Sequence, residues 1–516
     1  MEPLVGKFRT GGLACAVGRA GEREVQPKRR KPSTAAQQGT VEQDEIRTVT
    51  VGSPNDRKDE KTYDSADSQQ GYGAYGQEVV GEVSDWNDVE NRGADGHSKF
   101  KQLGWKRLTV ILIVEAIALG SLSIPSAFAT LGMVAGVIIC IGLGFVAIYT
   151  SYVVGQVKLA FPHVTHYADA GQLLMGRFGY ELVGVMFTLQ LVFLVGSHSL
   201  TGTIAFNNIT DNATCSLVFG VVSAIILLLL AIPPSFAEVA ILGYIDFVSI
   251  ILAIGITIIG TGVTQHQGLI AASDWSAWPK EGLTFVEAFV SVGNIIFAYS
   301  FAVCQFSFMD EMHTPADFVK SVWWLGIIEM VIYTVTGALI YVFVGQSVQS
   351  PALLSAGNLL SKIAFGVALP VIFISGSING TTVGRYIHGR IYKNSPNRFI
   401  NTRMGWITWI SVISIVTIIA WVIAEAIPFF SDLLSICSCL FISGFTFYFP
   451  AWMWFKLIKK GKWYSKENIF LAIVNAIVFI LGMIILGGGT YASVQDVING
   501  YKDGTVRGAF TCGAVS

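Results

Sequence analysis

The chain has 516 residues, of which 52% are hydrophobic and 13% are charged, and its formal net charge is −1. Soluble domains carry about 25% charged residues, so half that content indicates a membrane protein. A net charge near zero provides no basic field for nucleic acid. The seven scattered cysteines predict neither a disulfide framework nor a metal site, and no motif implies a cofactor.

The first segment in chain order, 1–102, is rich in Gln, Ser, Asp, Gly and Glu. Such a composition buries too little apolar surface to offset the entropy lost on ordering. It also lacks the short apolar core of a cleaved signal peptide. We predict a disordered cytosolic tail at 1–102, a transmembrane domain at 103–490 and a short extracytosolic C-terminal tail at 491–516.

Apolar segments occupy most of the rest of the chain. A transmembrane helix needs about 20 residues at ~1.5 Å rise to cross a ~30 Å hydrocarbon core. The pattern predicts an all-α polytopic membrane protein with eleven transmembrane helices. They lie at about 108–131, 134–160, 181–205, 215–233, 237–263, 284–306, 321–345, 359–387, 405–427, 430–456 and 468–489.

Basic residues predict the orientation of these segments. Lys and Arg concentrate in the loops at 385–403 and 456–466, on the same side as the N-terminal tail. Short cytosolic loops carry such an excess, so the N-terminus is predicted to be cytosolic. The sequons at Asn208 and Asn212 then lie in an extracytosolic loop, where they predict a glycoprotein.

Two segments contain polar or helix-breaking residues at membrane depth. Segment one includes Gly120 and Pro125, and segment six has polar residues throughout its second half, in "AYSFAVCQFSF". Irregular backbone inside a membrane is tolerated only where protein or a polar cavity satisfies it. Since the two segments are five crossings apart, they predict an inverted repeat with a site at the bilayer midplane. For segment one, a packed helix kinked by proline is the alternative.

The ends of broken helices suit a zwitterion. Helix N-termini attract a carboxylate, whereas C-terminal carbonyl groups attract an ammonium ion or another cation. An α-amino acid carries one of each charge. The two predicted breaks therefore indicate an amino acid as the substrate.

Four stretches together resemble the amino acid/auxin permease family, and most closely its fungal neutral amino acid permeases. They read "LIVEAIALGSLSIPSAFATLG", "THYADAGQLLMG", "FAYSFAVCQFSFMDEMHTPADF" and "IPFFSDLLSICSCLFISGFTFYFPAWMWF", and the resemblance covers about 105–490. It implies the leucine-transporter fold, a five-plus-five inverted repeat with an eleventh helix. It also implies amino acid uptake coupled to protons or sodium. This chain has "YSFA" where many members have Gly-Gly-His.

The resemblance implies which residues hold the substrate. The family's break before a proline in helix one matches Gly120 to Pro125, and its break in helix six matches Tyr299, Ser300 and Phe301. We predict that the backbone of Ala118, Gly120 and Ser121 binds the carboxylate. The three helix-six residues then contact the amino group and side chain, and segment three lines the pocket through Phe187 or Gln190.

Carboxyl groups inside the segments are the candidates for ion coupling. Burial favours the uncharged form of a carboxyl group, so such a residue can exchange protons. Glu115 is predicted to couple a proton or to gate, with a neutral packing glutamate as the alternative. Asp246 is its rival, Ser375 is a candidate to complete a cation site, and Glu329 is interpreted mainly as a packing residue.

The predicted function is import of neutral amino acids by a secondary active transporter, with a proton as the expected coupling ion and the plasma membrane as the expected location. A vacuolar transporter is one alternative. An amino acid sensor that signals through the N-terminal tail is another. An enzyme is not expected, since no catalytic set converges.

Overall fold

The computed structural model describes residues 104–504 and 507–512, apart from Ser235, 267–272, Glu311, Asn394, 396–399 and Asn401. The side chains of Ile111, Glu115 and 236–242 also lie outside the description. The predicted N-terminal tail, 1–102, is therefore not among the described residues.

The described part of the chain is helical and contains no β-strand. We number the helices by the predicted segment in which each one lies, and we call the two halves of the sixth α6a and α6b. The helices are α1 (Trp105–Leu131), α2 (Met133–Ala160), α3 (Tyr167–Ile209), α4 (Ser216–Ala231), α5 (Phe236–His266), α6a (Phe285–Ala298), α6b (Gln305–Asp310), α7 (Phe318–Val344), α8 (Asn358–Ile391), α9 (Arg403–Ala426), α10 (Phe430–Ile458) and α11 (Ile469–Asp503).

The lengths of these helices bear on the number of crossings. Among the described residues, eight helices are long and apolar enough to span a membrane. Helix α1 is a ninth if its two pieces, Trp105–Val114 and Ala116–Leu131, are one span bent by 41°. Helices α4 and α6a are apolar but shorter. Every predicted segment therefore coincides with an apolar helix, while the count of eleven crossings stays a prediction.

Local chemistry explains where helix α6a begins and which side chains the helices expose. Helix α6a starts at a capping box, in which Thr284 accepts from the Glu287 backbone amide and Glu287 reaches back to Thr284. Large apolar side chains such as Ile138, Phe145 and Ile259 face outward, where lipid would surround them.

Helix α1 lies at the centre of the described bundle, packed against α6a and α7. Helix α8 packs against α3 and α5. Small residues let the central helices approach closely, because a methyl group on Gly120 would lie only 2.6 Å from the Ala298 Cα. The candidate site described below lies among α1, α3, α6 and α8.

The C-terminal residues are tied to the bundle by contacts that the sequence did not predict. Cys215, before α4, forms a disulfide with Cys512. Arg507 is buried and forms an ion pair with Glu425 of α9. The pairing of the cysteines could not be found from spacing, since 297 residues separate them. The predicted orientation places both cysteines on the extracytosolic side, where disulfides persist.

Candidate functional site

The sixth helix is broken at the predicted position. Helix α6a ends at Ala298, and the chain does not become helical again until Gln305, where α6b begins. The interval contains the predicted Tyr299, Ser300 and Phe301. Helix α6b is attached to α2, because Gln305 donates to the Ser151 carbonyl at 2.9 Å and accepts from the Ser151 hydroxyl.

The first helix does not have the predicted break. Helix α1 continues through Gly120 and Pro125 to Leu131, and its bend lies before this stretch, around residue 115. Hydroxyl groups bond back along the helix, from Ser121 to the Ile117 carbonyl at 2.7 Å and from Ser123 to the Gly120 carbonyl at 3.0 Å. The structure therefore agrees with the alternative in that α1 is a packed helix, but its bend lies near residue 115 and not at Pro125.

One tyrosine connects the bend of α1 with the end of α6a. The Tyr333 hydroxyl of α7 lies 2.9 Å from the Ala116 carbonyl oxygen and 3.0 Å from the Ala298 carbonyl oxygen. Ala298 is the last residue of α6a, so its carbonyl has no partner within that helix. The single hydroxyl hydrogen of Tyr333 is shared between these two carbonyls, so it partly satisfies a group that the break leaves open and links the two central helices.

A small cavity adjoins the break, with a volume of about 20 Å³. This is space for about one water molecule, so an amino acid would fit only after the walls had moved. The walls come from α1, α3, α8 and the two sides of the α6 break. They are formed by Ala116, Leu119, Gln190, Leu191, Leu194, His198, Phe297, Ser300, Phe301, Val303, Cys304 and Asn379.

Three buried side chains bring open hydrogen-bonding atoms to this cavity. Neither the Gln190 amide oxygen nor its nitrogen has a partner among the described residues, and the same holds for His198 Nδ1 and Asn379 Oδ1. The Asn379 amide nitrogen donates to the Ser375 carbonyl at 3.1 Å, which fixes its oxygen as the open atom. Since buried polar atoms normally have partners, this convergence is typical of a ligand site.

The predicted substrate residues divide into two groups. Ser300 and Phe301 line the cavity, whereas Tyr299 lies at 3.4 Å from the Cys140 sulfur on α2. Ala118, Gly120 and Ser121 do not line it, because an intact helix turns other α1 residues, Ala116 and Leu119, toward it.

On α3, the cavity is lined by Gln190 and not by Phe187. Phe187 packs against the rings of Tyr386 and Phe445. Of the two α3 residues that the sequence left open, Gln190 is therefore the one at the cavity.

Two predicted ion-coupling residues meet next to the bend of α1. The Ser375 hydroxyl of α8 donates to Asp246 Oδ2 of α5 at 2.8 Å, and it lies 3.4 Å from the Val114 carbonyl oxygen. Asp246 is fully buried, and its Oδ1 has no partner among the described residues. Ser375 lies one turn of α8 before Asn379, so the Asp246 carboxyl group and the cavity adjoin the same face of α8.

The third ion-coupling candidate, Glu115, belongs to the bend of α1. The backbone of Glu115 lies between the two pieces of α1, directly after Val114, but its side chain is outside the described residues. The predicted role of its carboxyl group therefore stays a prediction.

The two predicted glycosylation sites differ in exposure. Asn212 is exposed in the turn after α3. Asn208 lies in the last turn of α3, half buried, and its side-chain oxygen accepts from Ser361 at 3.2 Å. Glycosylation stays a prediction at both sites, with Asn212 the better presented of the two.

His198 is one of the cavity residues that were not predicted from the sequence. It lies in "VGSHSLTG" of segment three, and an ionisable residue at membrane depth is a general indication of a functional site. Ala116 and Leu119 were also missed, because they line the cavity only when α1 stays helical.

Comparison with known proteins agrees with this architecture. The family model described as "Transmembrane amino acid transporter protein" matches residues 101–495. The chain is 60% identical to the "N amino acid transport system protein" of Neurospora crassa, covering 84% of this chain and 94% of that protein. It is 23% identical to "Amino acid permease 1" of Arabidopsis thaliana, over 80% and 93% of the two chains.

A solved structure with a similar fold is the "Inward facing conformation of Mhp1". It superposes with a TM-score of 0.50 at 14% sequence identity and covers 77% of this chain and 90% of that one. At this identity the likeness concerns the fold alone. It is consistent with the leucine-transporter fold that the family resemblance implies.

Proposed function

Because this chain belongs to the transmembrane amino acid transporter family, we propose that it imports neutral amino acids by proton symport with alternating access. The chain is an integral membrane protein, and we propose the plasma membrane as its location with the N-terminus in the cytosol. The observation that carries the proposal is the convergence of open polar atoms on the cavity at the α6 break.

The cavity would bind the zwitterion through groups of opposite polarity. His198 Nδ1 and Asn379 Oδ1 are open atoms that suit the ammonium group. The last carbonyls of α6a add negative potential on the same side. The Gln190 amide and the Ser300 hydroxyl are donors for the carboxylate. Phe297, Phe301 and Leu194 form an apolar wall for an uncharged side chain.

Proton coupling would use the carboxyl groups beside the bend of α1. Asp246 is buried with no cation bonded to it among the described residues, so its neutral form is favoured. Its link to Ser375, and through that helix to Asn379, connects protonation with the cavity. Glu115 is the second candidate for the coupled proton.

Alternating access requires that both ends of the site open in turn. On the proposed cytosolic side, α6b is held to α2 by the ion pair between Lys158 and Asp310, at 2.6 Å. Lys158 also donates to the Val164 carbonyl, at 2.6 Å. Release of these contacts would let α6b move and would open the cavity toward the cytosol.

A radiolabelled uptake panel in proteoliposomes tests the proposal. Proton and sodium gradients are imposed separately, and neutral, acidic and basic amino acids are compared. We expect concentrative uptake of neutral amino acids under a proton gradient alone. Uptake driven by sodium alone would overturn proton symport, and substrate binding without accumulation would favour the sensor. Native-membrane fractionation distinguishes plasma from vacuolar membrane.

His198→Ala tests the cavity itself. We expect KM to rise about 10- to 100-fold, because loss of one hydrogen bond to a charged ligand group costs about 1.5–3 kcal/mol. His163→Ala, in the exposed turn after α2, is the matched control and should leave KM unchanged. An unchanged KM in the His198 variant would show that the substrate binds elsewhere.

A further inference from the structure

Glu329 of α7 is a second fully buried carboxyl group that the proposed mechanism does not use. Its exposed fraction is 0%, and neither carboxylate oxygen has a hydrogen-bond partner among the described residues. None of the ion pairs in the described part of the chain includes it. An ionised carboxylate in such a place is very costly, so the closed structure favours the carboxylic acid.

The surroundings of Glu329 include Tyr299 of the α6 break. Cys140 of α2, Tyr299 of the α6 break and Tyr333 of α7 are the titratable groups close enough to interact with it electrostatically. All three are neutral near pH 7. The Tyr299 hydroxyl lies 3.4 Å from the Cys140 sulfur, and Thr334 adds a hydroxyl to the same group.

The other helices packed against α7 add no free cation to this group. On α5, Asp246 is bonded to Ser375 at a different place. On α1, Glu115 is the titratable residue near the bend, and its side chain is outside the described residues. Nothing that the structure describes around Glu329 therefore compensates a negative charge.

We propose that Glu329 is a second proton-binding site of this transporter, which exchanges its proton when the α6 break moves. This inference rests on the proposed proton symport. Tyr299 is the first residue after α6a, so displacement of the break would uncover Glu329 to water. The O–H bond of the acid then breaks, the proton passes to an entering water molecule, and the carboxylate is left hydrated. Closure requires that it take up a proton again from the opposite side.

Tyr333 connects the position of Glu329 with the two central helices, α1 and α6a. Tyr333 lies one helical turn after Glu329 and bonds to the carbonyls of Ala116 and Ala298. A charged Glu329 would oppose the closed packing around Tyr333, whereas the neutral acid permits it. Protonation would therefore favour the closed arrangement of α1 and α6a.

Glu329→Gln in proteoliposomes tests the inference, with proton flux and labelled substrate uptake measured together. Gln keeps a neutral polar side chain of similar volume but cannot release a proton. We expect uptake to persist while the proton-to-substrate ratio falls by about half, since one of two titrating sites is lost. Glu181→Gln, at a half-exposed carboxylate paired with Arg390, is the matched control and should keep the wild-type ratio.

An unchanged ratio in Glu329→Gln, with normal uptake, would overturn the second proton site while leaving the transport function intact. Absence of uptake by the wild-type protein would instead reject both proposals. A carbodiimide, which attacks protonated buried carboxyl groups, adds a test on the wild-type protein should the variant fail to fold. Mass spectrometry should find modification of Glu329 that falls as pH rises and changes with substrate. Modification that is absent, or equal under all these conditions, would count against the proposal.

Discussion

Helices α1 and α6 differ in their content of helix-breaking residues and in whether they stay helical. Helix α1 contains Gly120, Pro125 and the serines Ser121, Ser123 and Ser126, yet residues 116–131 stay helical. The sixth segment has neither glycine nor proline between Phe297 and Cys304, yet it leaves the helix after Ala298. Helix-breaking residues therefore did not decide which of the two central helices is broken.

The two helices differ in which groups accept or donate hydrogen bonds to their backbone and in how closely neighbouring helices pack on them. In α1 the serine hydroxyls bond to carbonyls of the preceding turn, and Gly120 is packed directly on Ala298. In α6 the orphan carbonyl of Ala298 is satisfied by Tyr333 from another helix. A break persists when side chains from neighbouring helices replace the missing helical hydrogen bonds.

The largest expected effect comes from Gly120→Ala, which attacks the contact between the two helices. The added methyl group would lie 2.6 Å from the Ala298 Cα, which is backbone and cannot turn aside. We expect a loss of about 1–3 kcal/mol in the free energy of unfolding and severely reduced uptake. Thermal unfolding in detergent and the uptake assay measure both. Gly142→Ala, where the space is open, should be neutral or slightly stabilising.

Tyr333→Phe removes the hydroxyl that satisfies the end of α6a. The Ala298 carbonyl then stays buried without a donor, at a cost of about 1–2 kcal/mol. We expect a lower unfolding temperature and faster hydrogen exchange of the backbone amides in the break. Tyr491→Phe, at an exposed tyrosine of α11, is the control. If the Tyr333 variant matched that control, the break would not depend on the α7 hydroxyl.

Pro125→Ala restores one backbone donor in α1, for the Ser121 carbonyl. We expect the free energy of unfolding to rise by roughly 1 kcal/mol, the net value of one hydrogen bond. Uptake should stay within about twofold if α1 remains helical throughout transport. Pro370→Ala, at the proline inside α8, is the matched control. Higher stability with lost uptake would show that α1 opens during the transport cycle.

The smallest effect is expected from Ser123→Ala. The hydroxyl bonds only to the Gly120 carbonyl within its own helix, so its loss should change stability by less than about 0.5 kcal/mol. Ser411→Ala, which removes the same kind of bond at an exposed place, is the comparison. A much larger loss of stability in the Ser123 variant would mean that this hydroxyl has a role beyond its hydrogen bond to the Gly120 carbonyl.

Much of the site could be predicted because polar residues at membrane depth are costly and therefore informative. That reasoning selected Asp246 and Ser375, which the structure joins at 2.8 Å, and Ser300, which lines the cavity. Phe301, which also lines it, was selected through the family resemblance. It did not select His198, although the same cost applies to a histidine. The predicted α1 residues Ala118, Gly120 and Ser121 assumed an unwound backbone, whereas the helical α1 lines the cavity through Ala116 and Leu119.

The sequence by itself determined the membrane class, the helical segments and the break in α6, because hydropathy and buried polarity are properties of local composition. Only the tertiary structure decided that α1 stays helical, that Tyr333 holds two helix ends and that Cys215 pairs with Cys512. Each of these depends on a partner distant along the chain. Such a partner meets its group only after the helices have packed.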